Sequence, residues 1–153
     1  MTEKTIRNSL YLYSSREIPV RLLEVIVKHT SKYNPGYRDK EGRFGLIGVR
    51  KDKADSFNVP HEDMLDHEKC LEVGVRAIRE ILFDMRSRFP GMSLDEWYLF
   101  ALARFRSSSH EIHHLMKKAN LETWDDYKKN AKWGVRFAEK VWTDFKTSGG
   151  TIT

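Results

Sequence analysis

The sequence predicts a mainly α-helical protein of about five helices with one loop-rich segment. Apolar residues recur at three- and four-residue steps in several stretches, which is the spacing of one helix face. Capping residues stand before these stretches, and proline or glycine stands after them. Glycines gather instead in residues 36–64, which predicts that this part is rich in loops.

Length and composition favour one domain. A chain of 153 residues with 40% hydrophobic residues can bury a single core without disulfides or metal. We expect that domain to span residues 1–153, with its core at about 18–145 and with 1–17 and 147–153 peripheral. The net charge of +5 is spread along this basic protein, which favours loose attraction to an anionic polymer such as cell wall or nucleic acid.

The N-terminal residues give no sign of targeting. The first twenty carry charges and lack an apolar run of signal-peptide length, and no segment reaches transmembrane length. We therefore expect cytoplasmic synthesis without a signal peptide and no membrane span; a phage lysis or injection route would be the exception. The single cysteine, Cys70, excludes an internal disulfide and is expected to be a buried thiol. No cofactor is expected.

The first long helix is expected to begin at Pro19, because proline suits the first turn of a helix. Its residues are apolar nearly all round, which predicts burial. It ends near Lys32, ahead of Asn34-Pro35-Gly36. The loop-rich segment follows, with a short turn of helix near Lys51–Phe57.

Four further helices are expected. The second starts near Asp66 and ends at Pro90-Gly91. A capping box, Ser93-Leu-Asp-Glu96, opens the third. Ser109 is expected to cap a short fourth helix. Thr123-Trp-Asp-Asp126 is expected to cap the fifth helix, whose apolar face extends from Tyr127 to Phe145.

Several blocks of the sequence resemble the lytic transglycosylases, which are lysozyme-like enzymes. In that family a helix ends in Glu-Ser, and Asn-Pro, Ser-x-x-Gly-Ala and Gly-Leu-Met-Gln follow. The matching positions in this chain, in order, are Asn34-Pro35, Gly42, Gly45-Leu46, Asp66, Gly74, Ile78 and Ala101-Leu-Ala103. The resemblance covers about residues 18–145 and implies a lysozyme-like bundle in which the loop-rich segment forms a cleft.

The positions that handle sugar in that family have changed. Thr30 stands where the family has its catalytic Glu, and Ile47-Gly48 replaces Met-Gln. Phe105-Arg106-Ser107-Ser108 replaces Tyr-Asn-Ala-Gly. The family's acid is a carboxyl group whose pKa an apolar pocket raises, and a threonine hydroxyl cannot exchange protons near neutral pH. By resemblance, the cleft is lined by Ser31, Asp39, Ile47, Gly48, Phe105 and Arg106, with no catalytic residue.

Two functions remain open. The first is a pseudoenzyme, kept as a binding or structural module and plausible as a bacteriophage virion or tail component. Its partners would be proteins, or peptidoglycan or another anionic polymer, and its oligomeric state is open. The second is an active peptidoglycan transglycosylase or muramidase in which Asp39 or Glu41 of the loop replaces the missing acid.

A remote alternative is a zinc protease. His110-Glu111-x-x-His114 matches the zincin pattern, in which two histidines one helical turn apart bind zinc and the glutamate is the general base. The third ligand would be Glu122 or Glu139. Three serines precede the pattern where zincins carry an apolar turn, so we favour a solvated helix face without metal.

Overall fold

A computed structural model describes residues 2–130 and 133–152, except for the side chain of residue 130. Over these residues it has eight α-helices, one 3-10 helix and no β-strand, which confirms the mainly α-helical class. None of these helices is long and apolar enough to cross a membrane. The elements are α1 (Glu3–Tyr13), α2 (Val20–Thr30), α3 (Lys51–Ser56), the 3-10 helix (His61–Leu65), α4 (His67–Arg88), α5 (Leu94–Arg106), α6 (Ser109–Ala119), α7 (Trp124–Asn130) and α8 (Val135–Thr147).

The chain divides into two compact units. The first comprises the residues up to Ala77 and those from Asp144 onward, and the second is Ile78–Thr143. The expectation of one domain over the whole chain stays a prediction.

The first unit is built on α2 and the N-terminal half of α4. Leu22, Leu23 and Ile26 of α2 are fully buried, as its nearly continuous apolar sequence predicts. The side chain of Ile47 packs directly against Gly74 of α4. The contact is so close that a Cβ at residue 74 would lie 2.0 Å from Ile47 Cδ1. This close approach places the loop-rich segment directly on α4.

Residues 1–17, expected outside the core, contain the unpredicted helix α1. Thr2 caps it by accepting a hydrogen bond from the backbone N–H of Thr5. Ile6 and Leu10 lie one turn apart and are fully buried, so the core extends into this segment. The sequence alone does not distinguish the buried face of this helix, because Leu12 is as apolar as Leu10 and yet is 76% exposed.

The second unit is organised around α5. Ser93 and Glu96 form the predicted capping box at its start. Phe100 packs edge-on against Trp124, with ring centroids 4.9 Å apart. The indole N–H of Trp142 donates a hydrogen bond of 2.9 Å to the Asp95 carboxylate and so ties α8 to the first turn of α5.

Two predictions for the second unit are corrected. Helix α6 is capped by Ser108 rather than Ser109, because Glu111 completes a capping box with Ser108. The predicted fifth helix is two helices, α7 and α8. Gly134 stands at the start of α8 with a φ of 71°, where a Cβ would lie 2.5 Å from the Ala103 carbonyl oxygen. Its left-handed backbone and close approach to α5 are incompatible with a continuous helix.

Candidate functional site

Thr30, at the predicted position of the acid, is the last residue of α2. Its side chain is buried, and its hydroxyl oxygen has no hydrogen-bond partner among the residues the structure describes. Such unpaired groups are rare in protein interiors. The Thr30 hydroxyl oxygen is therefore covered by protein and is not accessible to solvent.

Ser31 connects the end of α2 to the glycine-rich turn 45–48. Its buried hydroxyl donates a hydrogen bond of 2.8 Å to the Leu46 carbonyl oxygen and lies 3.3 Å from that of Val27. Phe44 and Val49 flank the turn and exchange backbone hydrogen bonds of 3.0 and 2.9 Å. These hydrogen bonds fix the turn against the C-terminal end of α2.

The turn depends on glycine at residue 45. Gly45 has a φ of 84°, and a Cβ there would lie 2.0 Å from the Met64 carbonyl oxygen and 2.6 Å from Cys70 Sγ. Gly48 is buried with a φ of 71°. Ile47 has no exposed surface and packs on Gly74, so it belongs to the core and offers no surface to a ligand.

Asp39 braces the loop that follows α2. One carboxylate oxygen accepts hydrogen bonds of 2.9 Å from the backbone N–H groups of Glu41 and Arg43. The other lies 3.1 Å from the Arg43 guanidinium and 3.2 Å from the Tyr37 hydroxyl, both donors. Partial burial acts to raise the pKa of Asp39, but these hydrogen bonds outweigh it and hold that pKa below its usual value. Asp39 therefore stays ionised and is poorly suited to donate a proton.

Glu41 is the other carboxylate of this loop. Its side chain is exposed, whereas a general acid needs an enclosure that favours its protonated form. Its backbone N–H donates a hydrogen bond to the Asp39 carboxylate. Neither acid of the loop has the environment that general acid catalysis requires.

Phe105 and Arg106 lie at the C-terminal end of α5, in the second unit. Phe105 is buried, and the guanidinium of Arg106 lies 4.7 Å from the centre of the Phe137 ring. Their membership of one cleft with Thr30 stays a prediction.

The zincin-like pattern lies on α6. The Glu111 side chain accepts a hydrogen bond of 2.8 Å from the Ser108 backbone N–H, so it closes the capping box. His110 and His114 meet edge to face with centroids 4.7 Å apart, and His114 stacks on Trp133. In the described residues, no three His, Cys, Asp or Glu side chains are placed to hold a metal ion.

Sequence reasoning missed a charged cavity in the first unit, with a volume of about 390 Å³. Its signal was present in α2, where Arg21 and Lys28 are seven residues apart and share a helix face. The contribution of α1 could not be seen, because that helix was not predicted. The residues that line the cavity are Glu3, Arg7, Arg21, Glu24, Val25, Lys28, Lys32, Tyr33 and Asp144.

Comparison with known proteins gives this chain no family. No protein-family model matches the sequence, and no curated protein matches it significantly.

Proposed function

We propose that this protein is a non-catalytic, lysozyme-like module, similar to a lytic transglycosylase, that has kept a binding or structural role. The observation that carries the proposal is the covered Thr30 hydroxyl at the end of α2. A glycosidic oxygen must come within hydrogen-bond distance of the acid that protonates it. Here that position holds a group that cannot exchange protons and that solvent does not reach.

The missing acid would by itself slow cleavage by roughly two to four orders of magnitude. The loop carboxylates do not compensate. Asp39 is held ionised by Arg43, and Glu41 is exposed on a loop rather than fixed against a scissile bond. These environments count against the alternative of a lyase with a relocated acid.

The contacts around Thr30 are nevertheless those of an ordered structure. Ser31 still bridges to the turn at Leu46, and Gly45 and Gly74 still stand where close contacts demand glycine. Retention of these contacts without the acid supports a role in binding or assembly. By resemblance, we propose peptidoglycan or another anionic polymer as the ligand, and a phage virion or tail as the setting in which protein partners would be found.

Co-sedimentation with purified, insoluble peptidoglycan at physiological salt tests the binding role. We expect the protein to enter the pellet in a saturable way. Asp39→Asn, which weakens the brace of the loop, should reduce the bound fraction. Asp125→Asn on α7 is the matched control, because its side chain is 78% exposed and it makes the same change of charge.

Two results would count against peptidoglycan binding. One is a protein that stays in the supernatant at every peptidoglycan concentration. The other is an equal gain of binding in both variants, because each variant loses one negative charge; such a gain would indicate general charge attraction rather than a site formed by the loop.

A further inference from the structure

The cavity in the first unit has the size of a small-molecule site. Its volume of about 390 Å³ falls in the range of roughly 300–1,000 Å³ that is usual for such sites. Side chains of α1 and α2, the turn after α2 and Asp144 form its walls. All of these residues belong to one compact unit.

The carboxylates of this cavity are already paired. Arg7 donates hydrogen bonds to Glu3 at 2.7 Å and to Glu24 at 2.5 Å. Asp144 accepts from the Lys28 ammonium at 3.1 Å and from the His29 ring at 2.8 Å. Their negative charge is therefore largely neutralised by the protein itself.

Two cations of the cavity, Arg21 and Lys32, have no carboxylate within hydrogen-bond distance among the described residues. The Arg21 guanidinium lies 3.9 Å from Glu24, and its Nε donates to the Ser148 hydroxyl at 3.2 Å. The exposed Lys32 ammonium has no ion-pair partner among the described residues. Four cationic side chains therefore face three carboxylates around the cavity, which leaves a positive excess at Arg21 and Lys32.

Tyr33 adds a donor without an acceptor. Its hydroxyl is buried and has no hydrogen-bond partner among the described residues, and the Arg7 guanidinium lies 4.8 Å from the centre of its ring. Burial is the main cause that raises the pKa of Tyr33, so the phenol keeps its proton. Lys32 and Tyr33 have φ values of 52° and 65°, an uncommon backbone for bulky residues that is found more often at functional sites.

We propose that this cavity binds a small molecule through an oxyanion, either a carboxylate or a phosphate. Lys32 and Arg21 supply the charge, and the Tyr33 hydroxyl, which has no acceptor among the described residues, donates a hydrogen bond to the oxyanion. Thr30 is not among the residues that line this cavity, so the proposed binding does not depend on any activity toward glycan.

Titration of the full chain with inorganic phosphate and, separately, with acetate tests the proposal. Backbone amide shifts would be followed by NMR at constant ionic strength, with chloride as the reference anion. We expect saturable shifts confined to residues of α1, α2 and the turn at 32–33. Saturation by phosphate alone or by acetate alone identifies which oxyanion the site accepts, and either result supports it.

Three variants locate the site. Lys32→Gln and Arg21→Gln should each raise the dissociation constant about fivefold or more, because each removes a charge from the anion's surroundings. Tyr33→Phe should raise it about threefold and leave the melting temperature unchanged or higher, since the lost hydroxyl has no partner in the free protein. Lys117→Gln on the exposed face of α6 is the charge-matched control and should change nothing.

Two results would overturn the proposal. One is the absence of saturable shifts with both anions. The other is a dissociation constant that Lys32→Gln and Arg21→Gln change no more than Lys117→Gln does.

Discussion

The Ser31 hydroxyl donates a hydrogen bond of 2.8 Å to the carbonyl oxygen of Leu46, 15 residues further along the chain. The preceding residue, Thr30, has a buried hydroxyl with no partner among the described residues. Two adjacent hydroxyls at the end of one helix thus differ in what they contribute. One holds the glycine-rich turn against α2, and the other has no hydrogen-bond partner among the described residues.

This difference predicts opposite effects on stability. Ser31→Ala should lower the free energy of unfolding by about 1–3 kcal/mol, because it leaves the buried Leu46 carbonyl without its partner. Thr30→Val should be neutral or stabilising, because it replaces an unpaired buried hydroxyl with a methyl group of similar size. Urea unfolding followed by circular dichroism measures both. A loss in Thr30→Val as large as that in Ser31→Ala would show that the Thr30 hydroxyl is hydrogen-bonded in solution.

The contact between Gly74 and Ile47 predicts that alanine at residue 74 destabilises the protein. In an exposed helix the change would stabilise by up to about 1 kcal/mol. Here the new methyl group would meet Ile47 Cδ1 at 2.0 Å, and overpacking of this kind costs about 1–3 kcal/mol. Gly74→Ala should therefore lower the unfolding free energy.

A second substitution separates the steric effect from a general one. Ile47→Val removes the Cδ1 atom that the new methyl group meets, so it should restore part of the stability lost in Gly74→Ala. Ile47→Val alone should destabilise by about 0.5–1.5 kcal/mol. Additive losses in the double variant would contradict the contact.

The cluster at Asp144 predicts a specific loss of stability in acid. Hydrogen bonds from His29 and then from Lys28 are the main causes that hold the pKa of Asp144 below its usual value. A carboxylate whose pKa is lower in the folded state contributes stability that is fully present above its unfolded value, about 3.9. That contribution disappears as the pH falls through the folded value.

Asp144→Asn should therefore be less stable than the wild type at pH 6, and the difference should narrow as the pH falls from 5 to 3. Unfolding free energies at several pH values measure it, with Asp125→Asn as the control for an exposed carboxylate. A difference that is constant over this range would show that the Asp144 carboxylate does not titrate as the structure indicates.

The environment of Cys70 predicts an unreactive thiol. It is fully buried, and burial is the main cause that raises its pKa to about 12. Thiolate is the reactive form, so a disulfide reagent at pH 8 should label the native protein only as fast as the chain opens. Labelling should become rapid and stoichiometric in denaturant. Rapid labelling of the native protein would contradict the packing of Cys70 against the turn at Gly45.

Local signals predicted much of the helical structure. The capping box of Ser93 and Glu96 fixed the start of α5, because both of its hydrogen bonds lie within four consecutive residues. The break before α8 was missed because it depends on the approach of Gly134 to Ala103, which are distant in sequence. Helix α1 was missed for a similar reason, since the burial of Ile6 and Leu10 is set by tertiary packing and not by a long apolar repeat.

The candidate site was predicted in part. The spacing of residues 30–48 indicated a helix end followed by a glycine-rich turn, and the structure has both. Sequence could not show that Ile47 turns into the core or that Arg43 neutralises Asp39, because both depend on how the loop folds back on itself. The charged cavity is formed by three segments that are far apart in the chain. The sequence indicated only the part on α2, where Arg21 and Lys28 share a helix face.

Turnover of purified peptidoglycan distinguishes a non-catalytic module from an active lyase. The protein would be incubated with insoluble peptidoglycan, and the soluble fraction would be searched by mass spectrometry for anhydro-muropeptides. We predict none above a buffer blank. We also predict little from Thr30→Glu, because by resemblance to the lytic transglycosylases the positions that orient the sugar and the acid differ as well. Release of anhydro-muropeptides by the natural protein, abolished by Asp39→Asn or Glu41→Gln, would show that it is an active lyase and that the proposal of a non-catalytic module is wrong.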